Sequence, residues 1–197
     1  MPPEFSELAD LLPVTQEREF PVPLLLGVIS DTHVNPRGGR QVPFEVIDLF
    51  ERFEVDLLIH AGDANCEDVL ERLSLIAPLV AVPGNNENAF LKRALPDHVT
   101  LTIGPHTVGV IHGHQGVNAR QSAREVFQDR ADFVIYGHSH IPKIERIDNT
   151  VYFNPGSATD RRWNEHYGIG LVRFDDATID PELVLYAHPE HLKNVHP

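Results

Sequence analysis

Apolar residues in this chain come in short blocks, and several of those blocks stop at glycine-rich polar turns. Leu24-Leu25-Leu26-Gly27-Val28-Ile29 is a continuous apolar run of strand length, the pattern of a central strand covered on both faces. After the loop Arg37-Gly38-Gly39-Arg40, the positions Phe44, Ile47, Leu49, Phe50 and Phe53 predict a helix over 43–53. Val55 to His60 reads as a second buried strand. Val69, Leu70, Leu73 and Ile76 mark another helix, and Leu79 to Val82 a third strand. Successive strand–loop–helix units predict a parallel sheet with helical crossovers.

From residue 98 the pattern changes. Val99–Ile103 and Thr107–Ile111 flank a turn at Gly104-Pro105 and read as a hairpin. A helix near 118–128 and the strand Phe133–Tyr136 follow. Short antiparallel strands are expected near 143–147, 150–153, 168–174 and 182–187. Two sheets packed face to face with helices outside account for this order. The domain is expected to span 24–187. Before it, residues 1–23 read as an arm: Phe5, Leu8, Leu11 and Leu12 predict one short amphipathic helix packed on the domain. Pro13 ends that helix, and Pro21 and Pro23 favour an extended approach to the first strand. The tail 188–197 shows neither alternation nor a turn signal and is expected to be mobile rather than a metal site.

Composition narrows the class. The 197 residues are 42% hydrophobic and 23% charged, ordinary for a globular domain. The apolar runs are too short to span a bilayer, and the N-terminus lacks the pattern of a secretory signal. A single cysteine, Cys66, forms no internal disulfide, which fits a reducing compartment and a cytoplasmic location. A net charge of −13 argues against double-stranded nucleic acid and a membrane surface as partners. It leaves room for a small phosphorylated substrate, because bound cations reverse the local potential.

The chemistry lies just past the strands. Asp31 and His33 follow the first strand, Asp63 the second and Asn85 the third. His112 follows the hairpin, and His138 and His140 follow the strand 133–136. Each has an ordinary reading by itself: Asp63 as a helix cap, Asn85 as a left-handed turn residue, the histidines as polar loop residues. Together they place metal-ligand types at the mouths of five strands. Oxygen and imidazole donors without thiolate suit Mn, Fe or Zn. If Asp63 bridges two cations, seven side chains give each ion four protein ligands. Such a pair, ~3.5–4 Å apart, clamps the oxygens of a displacement at phosphorus and activates a water.

As a set, Asp31-Thr32-His33, Gly62-Asp63, Gly84-Asn85, His112-Gly113-His114 and Gly137-His138-Ser139-His140 resemble the calcineurin-like metallophosphoesterases. With the Asn154-Pro155-Gly156-Ser157 turn they are similar to the compact bacterial and archaeal phosphodiesterase branch, whose fold Vps29 shares. The resemblance implies a four-layer α/β/β/α sandwich with a dinuclear site at the sheet edge. It implies Asp31, His33, Asp63 and His140 on one ion, and Asp63, Asn85, His112 and His138 on the other. His114 takes a substrate-facing or supporting position, so Asn85 and His114 are the catalytic candidates. Mn2+ is the expected ion, with Fe, Zn or Ni as alternatives. The implied activity is hydrolysis of a small soluble phosphodiester by metal-bound hydroxide; the alternative is a Vps29-like protein-interaction scaffold. A symmetric homo-oligomer would cover free sheet edges. The chain departs from larger family members at Asn86, where they carry a histidine thought to assist the leaving group. An amide delivers no proton, so esters with acidic leaving groups are the expected substrates. Arg37 and Arg40 read as solvated loop residues.

Overall fold

A computed structural model describes residues 12–35 and 37–197; most of the expected N-terminal helix (Phe5, Leu8, Leu11) lies outside them. In chain order the strands are β1 (Glu19–Phe20), β2 (Leu24–Ile29), β3 (Leu57–His60), β4 (Leu79–Ala81), β5 (His98–Ile103) and β6 (His106–Ile111), followed by β7 (Phe133–Tyr136), β8 (Lys143–Ile147), β9 (Thr150–Asn154), β10 (Tyr167–Phe174) and β11 (Ile179–Tyr186). The helices are α1 (Phe44–Arg52), α2 (Glu67–Ser74), the one-turn α3 (Leu91–Ala94) and α4 (Ala119–Phe127), with a 3-10 helix at Pro189–Asn194. Asn118 starts α4 by accepting the Gln121 amide N–H at 2.9 Å.

The strands form two mixed sheets, in the orders β11-β10-β2-β3-β4 and β1-β5-β6-β7-β9-β8. β2, β3 and β4 are parallel, as are β6, β7 and β9. Parallel strands carry their loops to one edge, so the turns after β2, β3, β4, β6 and β7 have a common exit.

Alternation along β2 shows how the layers are built. Leu24, Leu26 and Val28 point between the sheets, packing with Leu57, Ile59, Val110, Phe133, Ile135 and Phe153. Ile29, on the other face, joins Leu49 and Phe50 of α1 and Val69, Leu70 and Leu73 of α2. Gly27 lets α1 approach: a Cβ there would press on Phe50 and Leu58. On the far side, Ala123 and Phe127 of α4 cover Val134, Tyr136 and Tyr152. The architecture is the four-layer α/β/β/α sandwich. Each fully buried Leu, Ile or Phe contributes roughly 1.5–3 kcal/mol of transfer free energy.

Both chain ends are more integrated than their patterning indicates. Glu19–Phe20 pairs parallel to β5, the Thr15 amide donates to Leu79 O at 2.8 Å, and Leu12 is buried. The tail, expected to be mobile, turns back as the 3-10 helix with Leu192 fully buried. Arg52 of α1 donates to the carbonyls of Leu192 at 3.0 Å and Val195 at 2.7 Å while pairing with Asp48 at 2.8 Å. Leu192, the half-buried Val195 and one arginine fork anchor this segment, too little signal for a periodicity reading.

Leu192→Ala is expected to cost about 2–4 kcal/mol, the range for truncating a buried leucine. Urea denaturation checks it. A negligible shift in midpoint would mean that the tail packs only loosely.

Candidate metal centre

Local backbone geometry marks the site before any side chain is considered. Asp31 (φ 54°), His33 (44°), Asp63 (58°), His138 (65°) and His140 (59°) all occupy the left-handed region. Such φ values cost roughly 1–3 kcal/mol at a non-glycine residue and persist only where the surroundings enforce them. Here the turns tie to one another. Asp31 N donates to Gly62 O at 2.9 Å and His33 N to Asp63 O at 2.8 Å. Ser157 Oγ, in the turn after β9, donates to Asp31 O at 2.7 Å, and Asn154 Nδ2 to Gly137 O at 2.8 Å. Two glycines leave the space: a Cβ at Gly84 would overlap the Asp63 carboxylate, and one at Gly137 would meet Ser30 Oγ and Asp31 Oδ2.

The side chains converge. His140 Nε2 lies 3.2 Å from Asp31 Oδ1 and 3.1 Å from His33 Nε2. Asp63 Oδ2 lies 3.7 Å from His33 Nε2 and 3.4 Å from His112 Nε2. Two sets of ligand atoms cluster within 4.8 Å: Asp31, His33 and His140, and Asp31, Asp63 and His112. Asp31, Asp63, His112 and His140 are almost wholly buried. The His138 ring stands 5.2 Å from that of His112, the His114 ring 5.5 Å from it, and the rings of His114 and His138 are 6.4 Å apart.

The imidazoles are oriented for a cation. His112 Nδ1 lies 2.8 Å from Ala61 O, and His140 Nδ1 faces Asp160 O. A carbonyl only accepts, so each Nδ1 carries the proton, and in the neutral ring the Nε2 lone pair points into the cluster. Among the described residues, Asp31 Oδ1, His112 Nε2, His114 Nδ1 and His138 Nδ1 are buried with no hydrogen-bond partner. Unpaired polar atoms at such depth are costly, and the acceptors Asp31 Oδ1 and His112 Nε2 call for something positive between them. The donor set therefore fits divalent metal.

Electrostatics agree. Burial works to raise the Asp31 and Asp63 carboxyls, yet both stay below the usual carboxylate range. Asp31 is held there by His140, His112 and Ser30, and Asp63 by His112 and the Asn86 donors. Burial works to lower the His112 imidazole, but Asp63 and Asp31 raise it. A bound cation would displace that proton. Burial draws His33, His114 and His138 below the ordinary histidine value.

The third loop carries two adjacent exposed asparagines. Asn85 is exposed, and its carbonyl, not its carboxamide, is engaged, accepting from Lys92 Nζ at 2.7 Å. Asn86 instead holds Asp63: its backbone N–H donates to Oδ1 at 2.8 Å and its Nδ2 to Oδ2 at 2.7 Å. Sequence reading also passed over Glu87, nearly buried, whose carboxylate accepts backbone N–H groups from Ala64, Asn65 and Gly84. It fastens the Asp63 loop to the Asn85 loop; its only signal was an acid next to the Gly84-Asn85-Asn86 turn. His60 was read as a strand residue. It lies fully buried behind the site, with Nε2 3.0 Å from the Thr32 hydroxyl.

A carboxylate–imidazole cluster at the shared edge of a two-sheet sandwich is the arrangement of a metal-dependent phosphoesterase. Residues 24–177 match the calcineurin-like phosphoesterase superfamily domain, and the chain belongs to that family. A probable metallophosphoesterase of Methanothermobacter thermautotrophicus is 33% identical over 170 residues, 84% of this chain and 95% of that protein. An archaeal phosphodiesterase shares the fold with a TM-score of 0.65 at 23% identity, over 83% of this chain and 100% of that one. So does Vps29 of Entamoeba histolytica complexed with Zn2+, with a TM-score of 0.67 at 22% identity, over 82% of this chain and 99% of the other. Among the described residues, no helix is long and apolar enough to cross a membrane.

His60 gives this site a pH signature. Burial lowers its imidazole from 6.5 to about 4. Between those values the unfolded chain binds the extra proton and the folded chain resists it, so stability falls as pH falls from about 6.5 to about 4. Urea midpoints of the metal-free protein should decline across that window, and His60→Gln should flatten the decline. An equally steep decline in the variant would assign it to other groups.

Proposed function

We propose that this chain is a dinuclear phosphodiesterase acting on a small phosphate ester, with Asp63 shared between two divalent ions. The observation that supports this reading is that Asp63 Oδ2 lies 3.7 Å from His33 Nε2 and 3.4 Å from His112 Nε2, an imidazole from each of two clusters that also have Asp31 in common. Asp31, His33, Asp63 and His140 would hold one ion. Asp63, His112, His138 and the carboxamide of Asn85 would hold the other, with Mn2+ the favoured ion in both positions. Bound there, the cations supply Lewis acidity to the phosphoryl oxygens and lower the pKa of a coordinated water.

The chain's own residues prepare the site for that chemistry. Asn86 orients Asp63 through two N–H donors, and Ser30 with the His138 amide fixes Asp31 Oδ2 at 2.7 Å and 3.0 Å. The carbonyls of Ala61 and Asp160 select one tautomer of His112 and of His140. None of these groups has to reorganise as charge builds on the transferring phosphoryl group, which is the economy of a preorganised site. A proton for the leaving group is harder to find. Asn86 has none to give, and burial biases His114 towards the neutral ring.

The Vps29-like fold leaves a scaffold as the competing reading. The buried unpaired acceptors Asp31 Oδ1 and His112 Nε2 favour the hydrolase, because an assembly surface gains nothing from them.

Asp63→Ala should lower the metal content of Mn2+-loaded protein from two ions per chain and reduce hydrolysis of bis(p-nitrophenyl) phosphate by at least 10³-fold. Metal analysis and initial rates check both. Undiminished hydrolysis would end the bridging assignment, and a wild-type protein that holds metal without hydrolysis would favour the scaffold. A second expectation concerns leaving groups. The kcat on an aryl phosphodiester should exceed that on a dialkyl ester by several orders of magnitude, and equal rates would require a proton donor not recognised above.

A further inference from the structure

One side chain is at odds with the rest of the surface. Trp163, the chain's single tryptophan, is fully exposed, although an indole ordinarily buries most of its area. The turn that carries it is fastened rather than loose. Asn164 Nδ2 donates to His140 O at 2.8 Å and to Arg161 O at 2.9 Å, and Arg161 Nη1 donates to Glu165 O at 2.6 Å. At the start of the turn the Asp160 amide donates to Ser157 Oγ at 2.8 Å, and the Asp160 carbonyl faces His140 Nδ1.

These contacts fix where the tryptophan stands. Asn164 binds the peptide group that joins His140, a candidate metal ligand, to Ile141, itself 53% exposed. Trp163 is one residue away, a Cα step of about 3.8 Å. Both apolar side chains therefore belong to the rim of the metal cluster. Cations accompany them: Arg162 precedes Trp163, and Arg40, in the loop that also carries Arg37, pairs with Asp160 at 3.0 Å. Of Arg37 and Arg162, only the backbone N–H is engaged among the described residues.

That combination selects a ligand chemistry. An alkyl chain is held by enclosure, and a wholly exposed indole encloses nothing. A flat aromatic ring needs only one face of the indole and gains from stacking in an open position. Free guanidinium groups beside it suit a ring that arrives on an anion. An aryl group bonded directly to the phosphate would stay at the cations, short of the rim. A nucleobase is set off from its phosphate by a sugar and spans the gap. We infer that the turn 160–165 is the recognition arm for the substrate's ester group, with the Trp163 ring as its stacking face, and that this group is a nucleoside. The inference deepens the phosphodiesterase reading above and rests on it for where the phosphate sits.

The sole tryptophan reports on the contact directly. The probes are adenosine 5′-monophosphate and ribose 5-phosphate, which share the sugar phosphate and differ by the base. Each is titrated into the full chain loaded with Mn2+, by calorimetry and by tryptophan emission excited beyond the absorption of adenine. The wild type should prefer the nucleotide by about fivefold or more, and only the nucleotide should quench the emission. Trp163→Ala should reduce the preference to about twofold or less, whereas Trp163→Phe, which keeps a ring, should retain about threefold or more. An exposed side chain contributes little to the fold, so both variants should load metal as the wild type does. Equal affinities, an emission unmoved at saturation, no binding of either probe, or a preference that survives Trp163→Ala would overturn the inference. So would an emission that shifts to the blue with rising protein concentration and no ligand, which would assign the ring to contact between copies. Preference with quenching in a protein that hydrolyses no phosphodiester would leave the arm standing and remove the hydrolase. Hydrolysis without the preference would do the reverse.

Discussion

Two buried carboxylates with no lysine or arginine among their partners in the described residues set the terms for this structure. Asp31 and Asp63 are almost fully buried, and the groups around them are imidazoles, hydroxyls and backbone amides rather than lysine or arginine. Anions in such surroundings are expensive unless compensated by donors or cations. The fold gathers every available donor, Ser30, Asn86 and the His138 amide, and still leaves lone pairs unmatched. A divalent metal would resolve the conflict, and the two-sheet architecture brings the loops to one edge where it could do so.

The same constraint explains why the turns are stitched together. A ligand on one loop is useful only if its partner on a distant loop is held to within a few tenths of an ångström. Ser157 and Asn154 therefore reach from the turn after β9 to the Asp31 and Gly137 carbonyls, and Glu87 gathers three amides from two loops. These residues touch no ligand atom. Without them, the left-handed residues that carry the ligands would relax to ordinary backbone.

The sandwich was largely legible in the residues because each layer has its own periodicity. β2 and β3 read as apolar runs since both faces are buried; of the stripe read for α1, Leu49 and Phe50 are buried, while Phe44 is exposed and Val46 takes its place in the core. Asp31, His33, Asp63, His112, His138 and His140 were found from their place just after a strand, and the structure brings them together. Asn85 and Asn86 were harder to distinguish. Adjacent identical side chains differ only in which way the turn aims them, a property of backbone geometry that no residue pattern records. The edge strand at Glu19–Phe20 and the docked tail escaped notice for another reason. Their anchors are main-chain pairing for the strand, and for the tail Leu192 with one arginine reaching Val195 O across 143 positions, and none of these leaves a periodic trace.

The left-handed ligand residues carry a consequence for descent. Glycine at Asp31, His33, Asp63, His138 or His140 would relieve backbone strain, so each of these residues is held at a local conformational cost to the fold. Selection for turnover is what keeps the costly residues in place. A lineage freed from that demand would drift towards a firmer molecule of unchanged outline, ready to serve as a platform for other proteins.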